Sequence, residues 1–138
     1  MQMTYEDYAN LAAEMNILFR YIDDDLVEKV PQKIIEFFQD IASPTFRSKI
    51  DPRFPLDEQY LLPSTELMLT LLYRQYWCTE EEREELDRMI IEHQTIEKSL
   101  CKIILHRVIF KPKIQINFSK TLIYHFQSYL KIRILLLN

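Results

Sequence analysis

Two runs of adjacent carboxylates are the first candidates for chemistry in this chain. Residues 23–25 are three aspartates, and residues 80–82 are three glutamates. Carboxylate oxygens are the ligands that Mg²⁺ and Ca²⁺ prefer. Consecutive side chains on a helix point in different directions, so neither run is expected to converge on one ion. Both runs are typical of helix starts, where negative charge favours the positive end of the helix dipole. The sequence therefore predicts no metal site.

The segment Tyr21-Ile22-Asp23-Asp24 matches a short catalytic motif. Reverse transcriptases carry Y-x-D-D on a hairpin, where the paired aspartates hold divalent metal. Here the four residues end an amphipathic helix in a chain of 138 residues, which is too short for a polymerase. A four-residue match outside its structural context is weak, so we interpret it as a coincidence.

Thiol chemistry is the third possibility. Cys78 lies just before a predicted helix start, a position that favours the thiolate. A cysteine nucleophile also needs a base, and His93 lies about four turns further along the same helix. We therefore predict that Cys78 is a buried packing residue. Cys101, His106 and His125 lack the short ligand spacings of zinc sites, so zinc is not expected either.

The absence of glycine excludes several classes of enzyme. A P-loop, a dinucleotide-binding turn and a hydrolase nucleophile elbow all require glycine for their backbone conformation. Asn-Gly hairpin turns are excluded too, which favours an all-α fold. We predict that the chain is not an enzyme and that it has no cofactor.

The clearest structural signal is residues 63–91, which predict two helices joined at a tight corner. Ser64 is the expected N-cap of the first helix. This helix is apolar on almost every side, so it is predicted to be the central core helix. Thr79 and Glu82 have the spacing of a capping box at the start of the second helix. The second helix has a narrow apolar stripe: Leu86, Met89 and Ile90.

Three helices and a strap are predicted before this pair. The first helix is expected to begin after Thr4, its N-cap, and to run to about residue 21. The aspartates at 23–25 are expected to cap a short helix that runs through Lys29, and Pro31 suits the first turn of the third. Residues 43–62 contain several prolines yet are rich in apolar residues, so we predict an extended strap across the bundle. The apolar face of the first helix comprises Tyr8, Leu11, Ala12, Met15, Leu18, Phe19 and Ile22. The third is expected to bury Ile34, Ile35, Phe38 and either Ile41 or Phe37.

Two stretches carry a resemblance to known proteins. KVPQKIIEFFQDI is followed by PLDEQYLLPSTELMLTLLYRQYWCTEEEREEL. Together they resemble a group of small, uncharacterised bacterial helical proteins, over roughly residues 5–89. The resemblance implies a helical fold and a bacterial source. It implies no activity and no functional residues.

Charge is distributed unevenly along the chain. Residues up to Glu97 include all 21 acidic and nine basic residues, a net charge of −12. Residues 98–138 include eight basic residues and no acidic one, a net charge of +8. They also lack glycine and alanine, and 31 of the 41 are Ile, Leu, Lys, Asn, Phe, Tyr or Ser. AT-rich DNA read out of frame yields such a composition.

We therefore predict an acidic helical domain at residues 4–96. Residues 97–138 are then a basic, apolar tail of possible out-of-frame origin. The alternative is a genuine basic tail, with a strand at 113–118 and an amphipathic helix at 122–137. Only a native tail would be expected to contact nucleic acid or an anionic membrane surface.

Taken together, these features predict an all-α protein: a small bundle of four or five helices, with the proline-rich strap before a central helical hairpin. The expected function is that of a non-enzymatic protein–protein interaction module, whose partner is another protein. Tyr60, Arg74 and Tyr76 are the candidate interface residues. The alternative is an acidic inhibitor or nucleic-acid mimic that binds a basic protein. Two cysteines and no secretory signal favour a cytoplasmic location.

Overall fold

The computed structural model describes residues 5–40, 45, 53, 62–92, 94–109 and 118–136. The described residues form α-helices and one π-helical turn and contain no strand, so the all-α prediction is confirmed. The helices are α1 (Tyr5–Phe19), α2 (Asp24–Val27), α3 (Gln32–Asp40), α4 (Leu62–Tyr76), α5 (Glu80–Glu92), α6 (Lys98–Ile104) and α7 (Lys120–Leu136). The π-helical turn, Leu105–Ile109, continues α6 directly.

Helix α1 buries the face that its apolar periodicity predicts. Six of the seven predicted positions are buried, and the seventh, Tyr8, packs half-buried against them. The helix ends at Phe19 rather than at residue 21. Its last turn tightens, because the N–H groups of Arg20, Tyr21 and Ile22 bond to carbonyls three residues earlier. Such tightening is common at helix ends, where the last carbonyls lack partners within the helix.

Helix α2 is shorter than predicted, and α3 begins at Gln32. Asp23 occupies the N-cap position of α2, but its side chain makes no cap hydrogen bond, and the helix ends at Val27. Pro31 directly precedes α3. Of the predicted core residues of α3, Ile35 packs half-buried against the core. The side chains of Ile34, Phe37 and Phe38 lie outside the described residues, as do Ile41 and Thr4.

The predicted strap lies outside the described residues, apart from positions 45, 53 and 62, and residue 62 begins α4 instead of ending the strap. The candidate residue Tyr60 also lies outside the described residues. Residues 113–117, where a strand is one alternative, also lie outside them.

Helix α4 is the core helix that its composition predicts. It contacts α1, α5 and α7, and its apolar residues from Leu67 to Tyr73 are buried. The helix begins at Leu62, so the prediction of Ser64 as N-cap is wrong. Proline is tolerated in a first turn because its missing N–H has no partner there. The helix therefore continues through Pro63, and Ser64 is buried in that turn.

One hydrophobic core joins the two halves of the chain. Leu11 and Leu72 belong to it, and so do Cys101, Ile104 and Val108 of α6 and the π-helical turn. Helix α7 adds Leu122, Phe126, Tyr129 and Leu130, as the apolar pattern of residues 122–137 predicts. The out-of-frame origin of residues 97–138 stays a prediction, which the source DNA tests.

Candidate interaction surface

The corner between α4 and α5 is closed by the predicted capping box. Thr79 Oγ1 accepts from the Glu82 N–H at 3.3 Å, and Glu82 Oε1 accepts from the Thr79 N–H at 3.1 Å. Two backbone donors at the helix start are therefore satisfied by two side chains. Trp77 and Cys78 form the turn itself, since both of their N–H groups bond to the Tyr73 carbonyl.

Glu82 also binds the buried central helix. The Tyr73 hydroxyl donates to Glu82 Oε2 at 2.6 Å, and Arg107 of the π-helical turn donates to the same hydroxyl at 2.8 Å. Burial, followed by the Glu82 contact, raises the pKa of Tyr73 well above its usual value. Partial burial opposes ionisation of Glu82, but its bonds from Tyr73 and Thr79 and the charge of Arg107 outweigh this effect and lower its pKa.

A second carboxylate, Asp87, joins α5 to α4 and to the turn that follows α2. Its Oδ1 accepts from Arg74 Nε at 2.8 Å, and its Oδ2 accepts from Lys29 Nζ at 2.9 Å. Partial burial acts against the charge on Asp87, yet the two cations prevail and its pKa falls below the usual value. The Arg74 side chain is 17% exposed. This candidate interface residue thus contributes to the internal packing of the corner.

The other described candidate, Tyr76, holds the Y-x-D-D segment. Its hydroxyl and the Gln75 side-chain amide both donate to the Tyr21 carbonyl at 3.1 Å. Gln75 Oε1 accepts from the Asp23 N–H at 2.7 Å. The motif therefore spans the turn between α1 and α2 and the first residue of α2, and Gln75 and Tyr76 hold it by hydrogen bonds. Its aspartates are exposed. The described residues contain no group of three or more His, Cys, Asp or Glu that could hold a metal ion.

The two thiols occupy different surroundings. Cys78 is half-buried rather than buried, because it lies in the corner turn, and its thiol donates to the Arg74 carbonyl at 2.9 Å. His93 lies outside the described residues. Cys101 is buried, and burial raises the pKa of its thiol to about 11. A thiol that resists ionisation is a poor nucleophile at neutral pH.

A surface groove of about 130 Å³ runs between α5 and α6, and we call it the α5–α6 groove. Its apolar residues come from both helices: Leu86, Met89, Leu100 and Ile103. Its polar residues are Glu82, Glu85, Glu97 and Ser99. Glu85 and Glu97 are exposed, so the groove combines an apolar floor with an acidic rim.

The sequence reasoning missed this groove. It treated residues 97–138 as a separate tail, and Glu97, Ser99, Leu100 and Ile103 line the groove from there. The sequence predicts Glu82 as a capping residue and Leu86 and Met89 as part of the apolar stripe of α5, and all three line the groove. The pairing of α5 with α6 depends on tertiary packing, for which the sequence carries no local signal.

Comparisons with known proteins add no homologue to this picture: no family model, no curated protein and no solved structure matches the chain. Among the described residues, no helix has the length and apolar character needed to cross a membrane.

Proposed function

We propose that this chain is a non-enzymatic helical module of the cytoplasm that binds another protein through the α5–α6 groove. The observation that carries the proposal is the groove's apolar floor beside the exposed carboxylates of Glu85 and Glu97. Apolar cores bordered by polar rims are the usual anatomy of protein interfaces. Two free thiols, Cys78 and Cys101, are compatible with a reducing compartment.

The groove favours a partner with a basic, amphipathic segment. An apolar side chain would pack on Leu86, Met89, Leu100 and Ile103. A neighbouring lysine or arginine would place its aliphatic stem along the floor and its charge against the rim. Opposite charge across an interface favours correct orientation and fast association. An extended acidic or purely polar partner would gain neither the apolar packing on the floor nor the charge attraction at the rim.

The roles of Tyr60, Arg74 and Tyr76 as interface residues stay predictions. Arg74 and Tyr76 already bind within the chain, to Asp87 and to the Tyr21 carbonyl. In this proposal their described contacts hold α4 against α5 and against the turn between α1 and α2, and this arrangement shapes the groove. Substituting them would then weaken partner binding indirectly, through the position of α5.

Two charge-matched variants test the proposal. Glu85→Lys reverses a charge at the groove, and Glu84→Lys makes the same change at an exposed position of α5 outside the groove lining. Each chain is used as bait in extract from its source cells, and captured proteins are quantified by mass spectrometry. We expect a partner that Glu84→Lys retains and Glu85→Lys loses. Leu100→Ala, which shortens the floor without changing charge, should weaken capture of the same partner. Equal capture by all four baits would contradict the proposal.

The acidic inhibitor or nucleic-acid mimic is the second candidate. It is favoured by the outer face of α5, where Glu80, Glu81, Glu84, Glu85 and Glu92 are all exposed. A mimic presents a field of charge rather than a groove, so Glu84→Lys and Glu85→Lys would weaken capture equally. Leu100→Ala would then have no effect, and capture would be lost at high salt because exposed charges are screened.

A further inference from the structure

The outer face of α7 carries an exposed apolar strip. Six large apolar residues are exposed within the described part of the chain, and three of them, Tyr124, Ile132 and Leu135, belong to α7. Their side chains are 65%, 54% and 71% exposed. Spacings of eight and eleven residues place all three on one side of a helix. Lys131 is exposed on the same side. We call Tyr124, Lys131, Ile132 and Leu135 the α7 stripe.

The α7 stripe lies on the exposed side of the helix. The opposite side of the helix, with Leu122, Phe126, Tyr129 and Leu130, is buried in the core. On the inner side, Arg133 also pairs with Glu66 of α4 at 3.3 Å. These contacts fix the rotation of α7 about its axis, so the stripe is directed outward. Single exposed apolar residues are ordinary, whereas exposed apolar residues that lie on the same side of one helix can contribute to an interaction surface.

The α7 stripe and the α5–α6 groove are complementary in apolar character and charge. The stripe offers apolar side chains beside a lysine, and the groove offers an apolar floor beside Glu85 and Glu97. Ile132 and Leu135 are one helical turn apart, with Lys131 adjacent on the same side. Two apolar side chains can therefore approach the groove together while the ammonium group meets the rim.

We infer that the α7 stripe of one copy docks in the α5–α6 groove of a second copy of this chain. The inference rests on the proposed function, since it names the occupant of the same groove. The contact joins two different surfaces, so it is heterologous: each docked pair retains one groove and one stripe. Such a contact either closes into a ring or extends as copies are added. The contact between stripe and groove involves few residues, so we expect the association to be weak and concentration-dependent.

Charge reversal across two copies tests the inference with the full-length chain. Lys131→Glu and Glu85→Lys both alter exposed residues, and circular dichroism verifies that each variant remains folded. Sedimentation velocity over a range of protein concentrations then measures association. We expect the original chain to associate, and each single variant to associate roughly tenfold more weakly, because an opposite-charge contact becomes a like-charge one. Lys102→Glu and Glu84→Lys, which change charge outside both surfaces, should associate like the original chain.

Mixing shows whether the stripe and the groove contact each other. Each variant alone opposes like charges, but in the mixture the stripe of Glu85→Lys meets the groove of Lys131→Glu and the two reversed surfaces are also complementary, so the mixture should recover the association that each variant has lost. The chain with both substitutions should recover self-association, since the positive charge then lies on the groove and the negative charge on the stripe.

Several outcomes would overturn the inference. They are a chain that stays monomeric at every concentration, association that Glu85→Lys leaves unchanged, and single variants that do not associate when mixed. Binding of the stripe to vesicles of anionic lipid, lost in Lys131→Glu while the chain stays monomeric, would assign the stripe to a membrane surface instead. In the capture experiment, a partner lost only with Glu85→Lys would still support the proposed function after any of these results.

Discussion

The Tyr73 hydroxyl donates a hydrogen bond to Glu82 Oε2 at 2.6 Å, and this bond joins the buried helix α4 to the residue that caps α5. Glu82 therefore has two structural roles at once. Its Oε1 completes the capping box with Thr79, and its Oε2 accepts from the core. Arg107 donates to the same hydroxyl and brings the π-helical turn to the corner. The geometry of α5, and with it the α5–α6 groove, depends on this contact.

Tyr73→Phe is expected to destabilise the chain. The substitution keeps the buried ring and removes the hydroxyl that bonds to both Glu82 and Arg107. Hydrogen bonds to charged groups contribute about 1.5–3 kcal/mol, and we expect the free energy of unfolding to fall by that amount. Urea denaturation monitored by circular dichroism measures it. Tyr76→Phe is the matched control, because it removes a hydroxyl that binds a backbone carbonyl, and it should cost about 0.5–1.5 kcal/mol. Equal losses for the two variants would contradict the central role of the Tyr73 hydroxyl.

Thr79→Ala is expected to loosen the start of α5. Thr79 Oγ1 accepts from the Glu82 N–H, so the variant leaves that donor without its cap. Loss of an N-cap side chain costs about 0.5–2 kcal/mol. Denaturant unfolding and amide hydrogen exchange in residues 80–83 both report the effect. Thr79→Ser retains the hydroxyl and should restore most of the stability. A Ser variant as unstable as the Ala variant would indicate that the threonine methyl group matters instead.

Acid is expected to unfold the chain through Glu82 and Asp87. Both groups have a pKa in the folded chain below their ordinary values of 4.5 and 3.8. The unfolded chain therefore binds more protons at acidic pH than the folded chain does. The stability that these two carboxylates contribute is present above their ordinary pKa values and is lost as the pH falls through their pKa values in the folded chain. Unfolding free energies measured across this range should decrease with decreasing pH. Glu82→Gln and Asp87→Asn should each flatten the decrease. A slope unchanged in both variants would assign the acid sensitivity to other groups.

Base is expected to weaken the core at Cys101. Burial raises the pKa of this thiol from 9.0 to about 11. The pH dependence is opposite to that of the two carboxylates. The stability that comes from keeping this thiol protonated is fully present below the pKa of the unfolded chain, and it is lost as the pH rises from 9.0 to about 11. The free energy of unfolding should fall over this interval in the original chain and fall less steeply in Cys101→Ala. An equally steep fall in Cys101→Ala would assign the base sensitivity to other groups.

Local patterns predict the parts of this fold that depend on local chemistry. The apolar face of α1, the capping box at Thr79 and the buried residues of α5 follow from spacings of three and four residues. The position of Ser64 shows where such rules stop, since a serine preference for N-caps yields to a helix that begins two residues earlier. Helix ends are set by weak terms that neighbouring contacts easily outweigh.

The contacts that shape the candidate site are long-range, and local patterns do not encode them. Arg107 reaches Tyr73 across 34 positions in the sequence, and Lys29 reaches Asp87 across 58. Composition alone also separated residues 97–138 from the rest of the chain. Composition carries no information on packing, and the groove uses Leu100 and Ile103 from that segment.

Phe126→Ala is expected to be the most destabilising of these substitutions. Phe126 is fully buried in α7, in the same core as Leu11 and Leu72. Truncating a buried phenylalanine costs about 3–5 kcal/mol, because apolar contacts are lost and a cavity remains. Tyr124→Ala is the control two positions away, since that residue is 65% exposed and its loss should change stability by less than about 0.5 kcal/mol.

Thermal unfolding of both variants, beside a chain that ends at residue 97, measures the contribution of α6 and α7. The shortened chain should lose its cooperative transition, since it lacks Cys101, Ile104, Val108 and the buried face of α7. A shortened chain that melts as cooperatively as the full one, together with a mild Phe126→Ala effect, would show that residues 4–96 fold without the basic segment.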